Sequence, residues 1–177
     1  MAIPQKLPVL QTSLPHGHHH FPDCLRETWT RWILWTMTRK NTDTWFVSLS
    51  FKKETGRQKA FGTAKAWLRN LEMSYFHQTG NDRLRWILVE GWQMRMVIHY
   101  HLLVMGEALN VLSRKRWEHR WKSLTSFTDN AVIHNAEAES APYLAMHIRE
   151  SGDVQWGGWW QGLKTPKSLA CCDTATT

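Results

Sequence analysis

The sequence predicts an α+β fold, a central antiparallel β-sheet flanked by helices, and three observations carry it. Two apolar runs, Arg83–Glu90 and Met96–Met105, are separated only by a short turn and read as a hairpin. Strand patterns alternate with helical ones, but there are too few strands for a doubly wound parallel sheet. At 177 residues and 42% hydrophobic, the chain can bury one core and has little room for a second.

Each element has its own signal. Residues 1–24 carry Pro4, Pro8, Pro15 and Pro22 without a sustained period and are expected to form a flexible leader; its "HGHHH", His16–His20, reads as an adventitious metal binder. Leu25–Met37 reads as a helix capped by Asp23. In Asp43–Phe51, Val47, Leu49 and Phe51 alternate with the small polar Ser48 and Ser50, as in a half-buried strand. Arg57–Gln78 places Phe61, Ala64, Trp67, Leu68, Leu71 and Tyr75 on one helical stripe, ended by the turn signal "TGND". After the hairpin come a basic helix at Ser113–Leu124 with Ser113 as cap, a short strand at Asn130–Glu137, and a helix at Ser140–Glu150 capped by Ser140. Beyond Gly152 the chain is rich in Gly and Trp, and residues 164–177 are expected to fray, which leaves 25–163 as the domain.

The net charge of +7 and the pI of about 9.6 favour an anionic partner, nucleic acid first and a membrane surface second. No apolar run approaches the ~18 residues of a membrane span, and no secretory signal is seen. Cys24, Cys171 and Cys172 show no metal spacing and point to a reducing compartment. Twelve tryptophans far exceed ordinary usage; most are expected in the core, with two or three exposed near a groove where they could stack on unpaired bases.

The run "RWILVEGWQMRMVIHYHLLVMG" holds the chemistry. Residues i and i+2 of a strand share a face, so His99 and His101 project together while Tyr100 points away. Two imidazoles at that spacing can ligate one divalent ion. A hairpin centred between Met94 and Arg95 sets Glu90 opposite His99 and adds a carboxylate, a set suited to Mn²⁺ or Mg²⁺ with solvent and phosphate oxygens completing the shell. Tyr143, in the first turn of the last helix, is one of three tyrosines. A phenol, with an ordinary pKa of about 10, is a poor nucleophile unless an ion draws charge from the phosphodiester it attacks.

"FVSLSF", "HYHLLV" and "YLAMHIRE", in that order, resemble the motifs of the HUH endonuclease superfamily, most of all the single-tyrosine rolling-circle replication initiators of small phages and plasmids. The resemblance spans about Trp45 to Trp160. It implies a ferredoxin-like or RRM-like nuclease fold, a metal on His99 and His101, and Tyr143 as the nucleophile that forms a covalent 5′-phosphotyrosine on single-stranded DNA at an origin or hairpin. The family's lysine three residues after the tyrosine is Met146 here, and its second tyrosine and further lysine are His147 and Glu150. In related single-tyrosine transposases a residue at the offset of His147 completes the metal site, so His147 joins the expected ligands. A helicase domain is not expected at this length and without a phosphate-binding loop, so strand opening is expected to fall to a host helicase, supercoiling or a single-stranded substrate; the expected setting is a bacterial cytoplasm. Arg114, Lys115 and Arg116 on the basic helix, with Ser48 and Ser50 on the first strand, are the expected DNA contacts. The competing readings are an HUH transposase and a non-catalytic single-strand binder.

Overall fold

The computed structural model describes residues 23–39, 41–92, 97–125, 129–151 and 154–158. The proline- and histidine-rich leader up to residue 22, including His16–His20, and the tail from 159 onward lie outside the described residues.

Five antiparallel strands form one sheet in the order β4-β1-β3-β2-β5: β1 (Asp43–Ser50), β2 (Arg85–Trp92), β3 (Ile98–Gly106), β4 (Asn130–Asn135) and β5 (Val154–Gly158). Helix α1 (Asp23–Met37) precedes β1, α2 (Arg57–Thr79) joins β1 to β2, α3 (Arg114–Leu124) joins β3 to β4, and α4 (Ser140–Ser151) follows β4. The stretch from β1 to β4 thus runs β-α-β-β-α-β with strand order 4-1-3-2, the ferredoxin-like arrangement.

The two faces of the sheet bury separate cores. On one, Ala60, Ala64, Trp67, Leu68, Leu71 and Tyr75 of α2 and Trp117 and Trp121 of α3 cover Trp45, Val47, Leu49, Trp86, Leu88, Tyr100 and Leu102. On the other, Trp32 and Ile33 of α1 and Ala141, Leu144, Ala145 and Ile148 of α4 cover Phe46, Ile87, Val89, Leu103 and Met105. Helices on both sides explain why every residue of β3 is buried and why its sequence does not alternate.

Local signals set the helix ends. Gly80 closes α2 in the left-handed conformation at φ 67°, where a side chain would be strained, and its N–H donates to the Phe76 carbonyl. Ser113 caps α3 by accepting from the Arg116 N–H. Asp23 and Ser140, expected as caps, are instead the first helical residues of α1 and α4. Ser140 Oγ accepts from the Glu137 N–H at 3.1 Å and so secures the turn just before α4.

Two features depart from the sequence expectation. The Gly- and Trp-rich segment after α4 contributes β5, paired with β2 from Val89–Val154 to Arg85–Gly158. Gly157 permits this, because a Cβ there would stand 2.2 Å from the Trp86 ring. The hairpin register also differs by one residue: Gly91, not Glu90, stands opposite His99, and Glu90 stands opposite Tyr100. A one-residue shift moves a side chain to the other face.

Candidate metal and tyrosine site

Strand β3 presents His99 and His101 on the face covered in part by α4, as their i, i+2 spacing requires. Helix α4 seats Ala141, Leu144, Ala145 and Ile148 in the core beneath it. Tyr143 and His147, one turn apart on the adjoining face, then reach the histidine pair. One ligand nitrogen from each of His99, His101 and His147 lies within 4.8 Å of the other two. The His101 ring centroid is 4.5 Å from that of His147 and 4.7 Å from that of His99.

Both His101 nitrogens have partners. Nδ1 is 3.0 Å from Ser48 Oγ, directly across the β1–β3 ladder, and Nε2 is 3.3 Å from Tyr143 Oη. In the tautomer that donates from Nδ1 to Ser48, Nε2 carries the lone pair and faces the tyrosine. The Phe46 ring stacks on the His101 imidazole at 5.6 Å and meets Tyr143 edge-on at 5.8 Å, which fixes the ring from a third side. Tyr143 itself is 43% exposed.

His99 and His101 are held neutral. Burial, then the neighbouring His147 and His99, lowers the His101 pKa to about 3. Burial and His147 also lower that of His99, against a small upward pull from the Val97 backbone, which forms no well-made hydrogen bond to the buried Nδ1. Neutral imidazoles in a partly dry pocket are competent metal ligands. Three imidazoles, with an orphaned buried nitrogen among them, fit a divalent transition ion.

The structure brings together His99, His101, His147, Tyr143 and Ser48. Ser50 lies across from His99 on the same face and is half-buried. Glu90 is not with them. It points into the opposite core, 95% buried, and pairs with Arg57 at 3.0 Å. The expected carboxylate is therefore replaced by Gly91, whose missing side chain makes room for the His99 ring: a Cβ there would lie 2.5 Å from Nε2. Arg114, Lys115 and Arg116 are also elsewhere. Helix α3 packs with α2 on the far side of the sheet, and Arg114 Nη1 donates to Asn135 Oδ1. The expected three-residue basic patch thus does not border the triad. Trp117 and Trp121 are both turned into the core, and the exposed tryptophans among the described residues are Trp35 and Trp92.

Sequence reasoning did not name Gly91 and Phe46 as site residues, and it named Ser48 as a DNA contact and not as the partner of His101. Ser48 orients His101, Gly91 accommodates His99, and Phe46 packs against both His101 and Tyr143. Strand alternation already places Phe46 and Ser48 on the histidine face once β1 and β3 are paired, but that pairing is not visible in the chain alone. No family model, curated protein or solved structure matches the chain.

Proposed function

We propose that the protein is a metal-dependent single-stranded DNA nickase and strand transferase of the HUH type, with Tyr143 as nucleophile and His99, His101 and His147 as metal ligands. The observation that carries this reading is Tyr143 Oη at 3.3 Å from Nε2 of a histidine that belongs to a three-imidazole cluster. A tyrosine packed only for structure would not need its hydroxyl aimed at such a cluster. The histidine–tyrosine order along the chain, with its family resemblance, supports the same chemistry.

A divalent ion on the triad would draw charge from the scissile phosphodiester. Without a carboxylate, the donor set favours an ion that accepts imidazole nitrogen, so Mn²⁺ fits better than Mg²⁺, which prefers oxygen. In the reaction, the bond from Tyr143 Oη to phosphorus forms and the bond from phosphorus to the 3′ oxygen breaks. The phenol gives up its proton and the 3′ oxygen gains one. The protein stays joined to the 5′ end, and the free 3′ hydroxyl is left to prime synthesis or to reverse the step. Ser48 and Phe46 hold the His101 ring in its position and plane. The strand would approach over the open half of the sheet face, where Asn130, Val132 and His134 of β4 are exposed beside Phe46.

A second reading, a transposase with the same chemistry, is favoured by His147 one turn after Tyr143 in place of the initiators' second tyrosine. In either case a host helicase would supply duplex opening and the cytoplasm of a bacterial host is the natural setting. No helix among the described residues is long and apolar enough to cross a membrane. Incubating labelled single-stranded DNA with the protein and Mn²⁺ should give a slow-migrating covalent species on a denaturing gel, absent for Tyr143→Phe. A non-catalytic binder would shift DNA on a native gel equally well with either protein and give no adduct.

A further inference from the structure

Arg85 opens β2 on the same face as the triad but at the other end of the strand, six residues from Gly91 and so about 20 Å away. It is 93% buried, yet among the described residues its Nε has no hydrogen-bond partner and Nη2 donates only to Thr42 Oγ1, at 3.3 Å. Among the described residues no carboxylate lies within ion-pair reach; the ion pairs there are Arg31–Glu27 and Arg57–Glu90. Burying a guanidinium without an ion-pair partner is costly.

The surroundings make this worse for an empty corner and better for a filled one. Arg39, exposed at the end of α1, is held with its guanidinium carbon 4.2 Å over the Trp35 ring. The turn that follows is closed by the Thr42 N–H on the Arg39 carbonyl at 3.2 Å, with Asn41 in the left-handed region at φ 60°. That turn ties Thr42, the partner of Arg85, to the Arg39 backbone. The Arg39 charge, after burial itself, disfavours the charge on Arg85; Glu107 and Tyr75 act in the opposite direction. On the β5 side the partner of Arg85 is Gly158, at φ 85°, which offers no side chain to cover it.

We infer that Arg85 and Arg39, with the Thr42 hydroxyl, form a binding site for a phosphate-type oxyanion at the corner where α1 turns into β1. The planar fork of Arg85 supplies paired donors, Arg39 a second cation, and Thr42 a neutral donor. The site stands on these residues alone and does not depend on nicking. The oxyanion is either free phosphate, alone or on a small molecule, or a backbone phosphate of a strand bound elsewhere on the same face.

The test uses the full chain without divalent metal, so that failure of the nicking chemistry cannot affect it. Inorganic phosphate is titrated at constant ionic strength while the Nε–Hε resonance of Arg85 is followed by NMR, and an oligothymidylate is titrated in parallel. The Arg85 signal should shift saturably. Arg39→Ala, at an exposed position that leaves the fold intact, should weaken binding at least about tenfold, the loss of one charge-assisted contact. Response to phosphate alone assigns a free ligand. Tighter binding of the oligonucleotide, with its salt slope reduced by about one in Arg39→Ala, assigns a strand phosphate. No shift of Arg85 with either probe, or equal affinity in Arg39→Ala, overturns the inference.

Discussion

Replacing Gly91 by alanine adds one methyl group directly under the His99 ring. Its Cβ would stand 2.5 Å from Nε2 and 2.7 Å from Cε1, where non-bonded heavy atoms rest at about 3.5–4.0 Å. The ring must therefore move by about 1 Å. It has little freedom to do so, being 7% exposed and set against the rings of His101 at 4.7 Å and His147 at 5.8 Å. Overpacking of this kind costs about 1–3 kcal/mol, which for a chain of this size lowers the melting temperature by about 2–12 °C. A metal site tolerates ligand displacements of only about 0.2 Å, so the same movement removes His99 from the ligand set and should weaken Mn²⁺ binding at least tenfold. Melting curves with and without Mn²⁺, together with calorimetric titration, read both effects. Gly62→Ala is the control: nothing lies within 4 Å of its added methyl in α2, and it should stabilise by about 1 kcal/mol with Mn²⁺ affinity unchanged. Wild-type Mn²⁺ affinity in Gly91→Ala would refute the placement of His99 over Gly91 or its role as a ligand.

Ser48→Ala removes the partner of His101 Nδ1 and should lower Mn²⁺ affinity by about 10–100-fold with little change in fold, measured by the same titration. Glu90→Gln should leave Mn²⁺ affinity unchanged, because the carboxylate faces the other core; loss of its pair with the half-exposed Arg57 should cost about 1 kcal/mol in urea unfolding. Stability should also fall in acid. The unfolded chain protonates His101 near its ordinary pKa of 6.5, whereas the folded chain does so only at about 3. Between those limits the unfolded state binds the extra proton, so stability is full above pH 6.5 and declines as pH falls toward 3, by up to about 1.4 kcal/mol per pH unit. His101→Gln should flatten that decline by about one proton in a series of denaturant titrations across pH.

The half of the site set by short-range geometry was legible in the sequence. Strand alternation paired His99 with His101 and turned Tyr100 away, and the i, i+4 spacing of Tyr143 and His147 placed both on one side of α4. The hairpin register was not. From Arg85 to Gly91 every β2 residue is buried, because helices cover both faces of the sheet. The apolar pattern therefore gives no preference for one register over its neighbour, and a one-residue difference exchanges Glu90 for Gly91 in the site. Strand β5 escaped for a related reason: where a strand's neighbour fills the space with a tryptophan ring, glycine replaces the expected alternation. The basic residues of α3 were expected as DNA contacts, but charge alone does not say which side of the sheet a helix takes, and α3 lies on the side away from the triad.

The most direct test of the central claim is the site of covalent attachment. Single-stranded DNA is incubated with the protein and Mn²⁺, the adduct is digested with nuclease and protease, and the modified peptide is sequenced by mass spectrometry. The account predicts a nucleotide joined through its 5′ phosphate to Tyr143, and no such peptide from protein in which His99 and His101 are both replaced by alanine. A nucleotide on Tyr75, Tyr100 or a serine, or an adduct of equal yield from the double-alanine protein, would contradict it.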